Sequence, residues 1–323
     1  MTTLDNIQSS LSEELIQLNG RISTALYSSN LLMNSVIEGY LKSKGKQIRP
    51  ILVILSAKLF GDVNPDVISS AAAVEMLHNA SLIHDDVIDE SKLRHGHPTI
   101  NSVWDNHIAV LVGDFFVSNA LSQAIATGDI RIVNSIARLG KLLSLGEIDQ
   151  IYNARSRCLD EKAYFEIISR KTASLFVSCV EMGAYSVGID EADPRLDRMR
   201  RFAELLGLCF QIKDDIFDYY SASLIGKPTG NDLKEGKITL PLLHALETTR
   251  DGAMIELSHK EQLQPDEISR LIRFAKENGG IDYARDTMQR LRDEAVEAIS
   301  GVGDSEVTAL LVSILDFIIA REK

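Results

Sequence analysis

The chain has 323 residues, of which 45% are hydrophobic and 25% charged, and it carries a formal net charge of −12 at pH 7. This is a globular balance with enough apolar residues for a sizeable core, which excludes a disordered chain. The negative charge makes nucleic acid an unexpected partner but leaves anionic substrates open, because lysines and arginines can gather locally. Three cysteines, Cys158, Cys179 and Cys209, show no metal-ligand spacing and suit a reducing compartment.

In chain order, the first five residues lack the basic region and apolar core of a signal peptide, so none is expected. Leu11, Leu15 and Leu18 then repeat at spacings of four and three, which predicts a helix. Gly45-Lys46-Gln47-Ile48-Arg49-Pro50 puts Lys46 and Arg49 three apart at a helix start, a geometry suited to a phosphate group. Val74, Leu77, Ser81 and Asp85 share one face of a longer helix, and Arg94 follows it in segment 93–99. Lys171 and Thr172 follow Arg170 inside another helical stretch. Phe202, Leu205, Leu206 and Phe210 mark the apolar face of a helix that leads into Asp214. The glycine-rich segment 226–230, with Lys227, reads as a lid, and Lys237 lies in segment 235–241. The apolar stretch 307–320 is too short to span a bilayer and carries Asp316, so a buried helix is expected there and no transmembrane segment. Alternating strand runs, a Rossmann glycine pattern and a P-loop are all missing from the sequence. The expectation is an all-α, single-domain cytoplasmic protein spanning 1–323.

Two clusters stand out. Asp85, Asp86 and Asp89, and again Asp214, Asp215 and Asp218, read D-D-x-x-D. Residues four apart share a helix face, so Asp85 stands above Asp89 and Asp214 above Asp218. Carboxylates packed within one turn repel each other unless a cation lies between them. One such motif on a helix is ordinarily a solvated face, and Lys46 with Arg49 is ordinarily a surface pair. The apolar setting argues otherwise. Leu82, Ile83, Val87 and Ile88 bracket the first cluster, and Phe210, Ile212, Ile216 and Phe217 bracket the second. Ionised carboxylates there need compensation. Two facing clusters would cage hard, oxygen-seeking cations such as Mg²⁺ and so hold a diphosphate.

These residues resemble the trans-polyprenyl diphosphate synthases, most clearly from Gly45 to Pro241. The family's motifs occur in its order: Gly45-Lys46 with Arg49-Pro50, His78 through Asp86, Arg94, Gly113-Asp114-Phe115, Gly146-Glu147, Lys171-Thr172, Phe210-Gln211 leading into Asp214, and Gly236-Lys237 with Thr239-Leu240-Pro241. The resemblance implies an isoprenoid synthase fold, a helical bundle around a deep central cavity, and a homodimer. It implies ionisation of an allylic diphosphate, attack by isopentenyl diphosphate, and loss of a proton. Three Mg²⁺ ions on Asp85, Asp89 and Asp214 would neutralise the leaving diphosphate, with Asp86, Asp215 and Asp218 completing the metal surroundings. By the same resemblance Arg94, Lys171 and Lys227 hold the allylic diphosphate, Lys237 helps close the site, and Lys46, Arg49 and His78 hold isopentenyl diphosphate. Thr172 and Gln211 place oxygen dipoles near the cation. One departure is that the second arginine of a usual pair after the first motif is His95 here. Either His95 serves when protonated, or His97 helps, or that subsite is weaker.

Short-chain members of the family carry bulky aromatics about one turn before the first aspartate. Ala80 and Ser81 occupy those positions here, with Leu77 a turn deeper. An isoprene unit is roughly 5 Å long, close to the ~5.4 Å helix pitch, so the expected product is about C40, within roughly C30 to C50. Such products commonly become quinone side chains and pass to membrane enzymes. The alternatives are a geranylgeranyl or farnesyl diphosphate synthase, and a non-catalytic regulatory subunit of a heteromeric synthase.

Overall fold

The computed structural model describes residues 3–41, 45–94, 96–156, 159–220 and 230–321. Among these the chain is helical almost throughout. The exception is one antiparallel ladder, Leu93–Arg94 against His97–Pro98, turning at Gly96. Two-residue strands are too short to show alternation, so no periodic signal announced them.

The chain divides into two compact units. One comprises Met1–Lys141, Leu175–Arg201 and Ala298–Ile314, and the other comprises Leu142–Ser174, Phe202–Glu297 and Leu315–Lys323. Each unit is assembled from three separated segments. No stretch of linker composition could therefore mark a boundary in the sequence.

The first unit is organised on helix Pro65–Ile88. Its start is fixed by the Asn64 side chain, which accepts from Asp66 and Val67 N–H, and by Pro65 in the first turn. Val67, Ile68, Ala71, Ala72, Ala73, Val74, Met76, Leu77 and Ala80 are all buried, so the helix is apolar on nearly every side, as a helix enclosed by others must be. It packs against helices Ser12–Leu26, Ile48–Phe60 and Asn106–Ala126. The expected faces at Leu11, Leu15 and Leu18 and at Val74 and Leu77 are buried, although Leu11 sits at a break between helices Thr3–Ser10 and Ser12–Leu26. Asn106–Ala126 is long and apolar enough to cross a membrane by length and composition, with mean hydropathy 1.5. The sequence reading passed over it. Its Ala109, Val112, Phe116, Ala120 and Ala124 are buried, while Val110, Leu111, Val117, Leu121 and Ile125 are exposed.

The second unit has its own core. Tyr164, Ile168, Leu208, Ile212, Ile216, Tyr219, Leu240, Leu243, Leu246 and Leu271 pack together in it. Helix Leu240–Thr249 lies against Glu161–Ile168 and Pro265–Glu277. Phe202, Leu205 and Leu206 are fully buried, as their spacing predicts, while Phe210 on the same face is half-buried. Of the last helix, Ser305–Ala320, Leu311 and Ile314 belong to the first unit and Leu315 and Ile318 to the second, and all four are buried, as expected of the last apolar stretch.

Candidate active site

In the first unit, the helix carrying the first acidic motif ends at Ile88. Asp89 is its C-cap, one residue beyond the regular helix, yet its N–H still bonds Asp85 O at 2.8 Å. Asp85 and Asp89 are therefore stacked one turn apart, as the spacing predicts, and both are half-buried. Asp86 points elsewhere and is only 4% exposed. Arg94 donates to Asp86 Oδ1 from Nε at 3.0 Å and from Nη2 at 2.8 Å. Arg94, which the resemblance places on a diphosphate, thus also neutralises a buried carboxylate. A buried charge needs its counter-charge at hand.

The helix Ile48–Phe60 starts at Ile48, so Arg49 lies in its first turn and Lys46 just ahead of it, as expected. Lys46 is exposed, while Arg49 is half-buried with its guanidinium 5.4 Å from the Phe176 ring centre. Burial, with the Arg49 and Arg94 charges beside it, pushes His78 well below the usual histidine range. At neutral pH His78 is thus an uncharged hydrogen-bonding group rather than a cation. Gly113 explains its own motif: a Cβ there would come within 2.2 Å of His84 Nε2. The missing side chain lets helix Asn106–Ala126 approach the residue that precedes Asp85.

The second unit gathers the other half of the expected residues. Lys171 and Thr172 lie in a π-helical turn, Ser169–Ala173, rather than in plain α-helix. Such turns recur at functional sites because the wider coil re-aims side chains. Lys171 Nζ pairs with Glu147 and bonds Gln150 Oε1 at 2.6 Å. A Cβ on Gly146 would lie 2.8 Å from Lys171 N, so glycine is what permits this approach. From Thr172 a row of hydrogen bonds runs inward. Thr172 Oγ1 donates to Gln211 Oε1 at 2.6 Å, Gln211 Nε2 donates to Asp215 Oδ1 at 2.8 Å, and the Tyr164 hydroxyl donates to Asp215 Oδ2 at 2.6 Å. Asp215 is 4% exposed. Burial pushes its carboxyl up to about 7, with neighbouring Asp214 and Asp218 adding to the rise and the bonds from Tyr164 and Gln211 opposing it.

Asp218 has a different role. Its two carboxylate oxygens accept from Asn231 and Asp232 N–H, each at 3.0 Å, which ties the end of helix Pro194–Asp218 to the start of helix Asn231–Lys234. Asp214 Oδ1 accepts from Arg321 at 2.6 Å. Lys237 bonds Glu235 at 2.5 Å. Tyr164, Gln211, Asp215, Asp232, Lys237 and Thr239 line a cavity of about 60 Å³, space for a few waters. His95 and Lys227, and residues 226–229 of the expected lid, lie outside the described residues.

Three residues of this unit escaped the sequence reading, Tyr164, Asp232 and Arg321, as did the pairing of Glu147 with Lys171. Asp232 could have been found, since a carboxylate between Asp218 and Lys237 shares their setting. Its carboxyl is pushed well above the usual range by burial and by Asp215 and Asp218. Tyr164 stands seven residues before Lys171, about two helical turns, and only its spacing hinted at a shared face. Arg321 gave no signal at all.

The donors suit a hard divalent ion: carboxylate oxygens, of which that of Asp214 already pairs with a guanidinium cation. Among the described residues no group of three or more His, Cys, Asp or Glu side chains converges into a ready-made metal cage.

Ala80 is fully buried, Leu77 nearly so, and Ser81 half-buried with its hydroxyl donating to His78 O at 2.8 Å.

The polyprenyl synthetase family model matches residues 30–274. The chain is 32% identical to octaprenyl diphosphate synthase of Haemophilus influenzae, across 97% of this chain and 96% of that one. A decaprenyl diphosphate synthase from Rhodobacter capsulatus superposes with TM-score 0.92 at 30% identity, covering 99% of both chains. The geranylgeranyl pyrophosphate synthase of Bacteroides thetaiotaomicron superposes with TM-score 0.85 at 37% identity, again over 99% of both. The match spans both acidic motifs and the basic residues between them, and on it the chain belongs to the polyprenyl synthetase family, with the all-α fold and the prenyltransferase class of that family.

Proposed function

We propose that the protein condenses isopentenyl diphosphate with an allylic diphosphate and repeats the step to give a long all-trans polyprenyl diphosphate of about C40, one isoprene unit per ~5.4 Å helical turn of tunnel. The observation that carries this is a family match over 30–274 in which both D-D-x-x-D motifs are intact. We take 1–323 as a single polyprenyl synthase domain.

Mg²⁺, three ions by family resemblance, would be held by Asp85, Asp89 and Asp214. Bound there, it supplies the positive charge that lets diphosphate leave. The remaining work falls to side chains. Lys171, Arg94 and Lys227 bind the allylic diphosphate, Lys237 helps close the site, and Lys46, Arg49 and a neutral His78 bind isopentenyl diphosphate. Asp86 and Asp218 hold their local frame through Arg94 and the 231–232 backbone. Thr172 and Gln211 turn oxygens toward the allylic carbon as it becomes positive, and the apolar surroundings keep water from it. Ala80, Ser81 and Leu77 leave the tunnel without an aromatic plug.

A second copy of the chain is the partner we propose for the exposed apolar face of helix Asn106–Ala126, where Leu111 and Ile125 are each 58% exposed. The setting is cytoplasmic, with products passed to membrane enzymes, quinone side chains among their uses.

A shorter product, at the geranylgeranyl length, is the second reading, favoured by the 37% identity to the Bacteroides enzyme. One assay separates the two: radiolabelled isopentenyl diphosphate with C5, C10, C15 and C20 primers and Mg²⁺, followed by sizing. Products ending at C20 support the shorter reading. No carbon–carbon bond formation by the purified protein alone overturns both.

A further inference from the structure

Gln211 can serve a developing cation only one way round. Its carboxamide has an oxygen that attracts positive charge and an NH₂ that repels it, and the terminal torsion that exchanges them is broad and nearly two-fold. Nothing in the residue itself chooses between them. The choice is made by the groups at either end, so the question is what fixes those groups.

At one end Thr172 Oγ1 donates to Gln211 Oε1 at 2.6 Å. A hydroxyl can reverse, accepting instead of donating, so Thr172 follows the amide and does not set it. At the other end Asp215 Oδ1 accepts from Gln211 Nε2 at 2.8 Å. An ionised carboxylate accepts only, and in that form it does set the amide, provided it keeps its own orientation. What keeps it there is Tyr164. The phenol donates to the second carboxylate oxygen, Oδ2, at 2.6 Å. Tyr164 is 5% exposed, packed edge-on against Phe165 with ring centres 5.3 Å apart, and so has little freedom to release the bond. Both oxygens of Asp215 are thereby committed as acceptors.

We propose that Tyr164 is a positioning residue for prenyl transfer: by pinning Asp215 it fixes the Gln211 amide with its nitrogen inward and its oxygen beside Thr172, so that two oxygens together meet the nascent allylic cation. This rests on the prenyl-transfer reading above. Without the phenol, Asp215 turns about its carboxyl torsion and the amide is free to flip. A flipped amide presents N–H where an oxygen is needed, a reversal of sign at the point where charge develops. Binding of either diphosphate, which depends on the basic residues, is not affected.

The test is Tyr164→Phe, which keeps the buried ring and removes only the hydroxyl, with melting curves to confirm folding. The expected result is kcat lowered about tenfold or more, with KM for both diphosphates unchanged, as for a contribution made only in the transition state. In the double variant with Gln211→Ala the two losses do not multiply, because Tyr164 acts through Gln211. A readout apart from turnover is calorimetric binding of an ammonium analogue of the allylic diphosphate against its neutral carbon isostere. The wild-type preference for the ammonium form falls about tenfold in Tyr164→Phe. An unchanged kcat, a rise in KM alone, multiplying losses in the double variant, or an unchanged preference would each overturn the proposal. If the wild-type protein itself forms no prenyl product, the fault lies with the functional reading; if it turns over and Tyr164→Phe matches it, only the role of Tyr164 is lost.

Discussion

Arg321 reaches Asp214 at 2.6 Å, with its guanidinium centre 4.3 Å from the Phe210 ring centre and only 10% of its side chain exposed. Its Nη2 also donates to Phe210 O at 3.2 Å. Asp214 is thus doubly committed: it is the counter-charge of a largely buried guanidinium, and it is the carboxylate proposed for metal. Asp214→Ala is expected to lower turnover by about 10²–10³-fold, the usual scale for losing one electrostatic contributor. It also strands Arg321 and destabilises the metal-free protein by about 1–3 kcal/mol. Adding Arg321→Leu should restore most of the stability and none of the activity. Denaturant midpoints and product assays on the three variants check this, and recovery of both properties together would contradict the assignment of Asp214.

Gly146 makes a second prediction about placement. Ala at this position would press its Cβ into the Lys171 backbone at 2.8 Å from N, with no flexible side chain to yield. Gly146→Ala should cost about 1–3 kcal/mol of stability by overpacking. It should also raise KM for the allylic diphosphate several-fold while leaving that for isopentenyl diphosphate near its normal value. Equal changes in both constants would argue against Lys171 as an allylic-side residue.

Chain length can be tested at Ala80. Ala80→Phe is expected to end elongation at about C15–C20, since each turn of helix corresponds to roughly one isoprene unit. Because Ala80 is fully buried, the ring also overpacks its surroundings, so a lower melting temperature accompanies the shorter product. An unchanged long chain in product chromatography would sink the tunnel model.

The acidity of Asp215 gives a pH signature in the metal-free protein. Burial, with Asp214 and Asp218 nearby, raises its folded-state pKa to about 7, while the unfolded chain ionises near the ordinary ~3.9. Between those values the unfolded state has lost the proton that the folded state keeps. The group's contribution is therefore fully present below the unfolded value and declines as pH rises toward about 7, with no further change above it. Asp215→Asn should flatten that slope in urea midpoints taken from pH 4 to 8. A slope identical to wild type would assign the dependence to other groups.

The candidate site is legible in the sequence as far as its chemistry is written in short spacings. D-D-x-x-D fixes a face by helix geometry alone, and the structure keeps Asp85 and Asp89 one turn apart even though Asp89 caps the helix. Lys46, Arg49, Lys171, Gln211 and Lys237 stand out as candidates because they sit in motifs. The hairpin at 93–98 and the π-helical turn at 169–173 do not, since two residues cannot show a period and a π-turn differs from an α-turn only in which carbonyl each N–H reaches.

Local spacing, composition and the order of motifs determined the helical class, the acidic faces and the family, because each depends on residues within a turn or two of one another. Partnership was beyond them. That Arg321 finds Asp214 from 107 positions away and that Tyr164 reaches Asp215 across 51 are facts of packing between distant segments. A buried charge accepts whichever counter-charge the folded chain brings within reach, and sequence distance has no bearing on that choice.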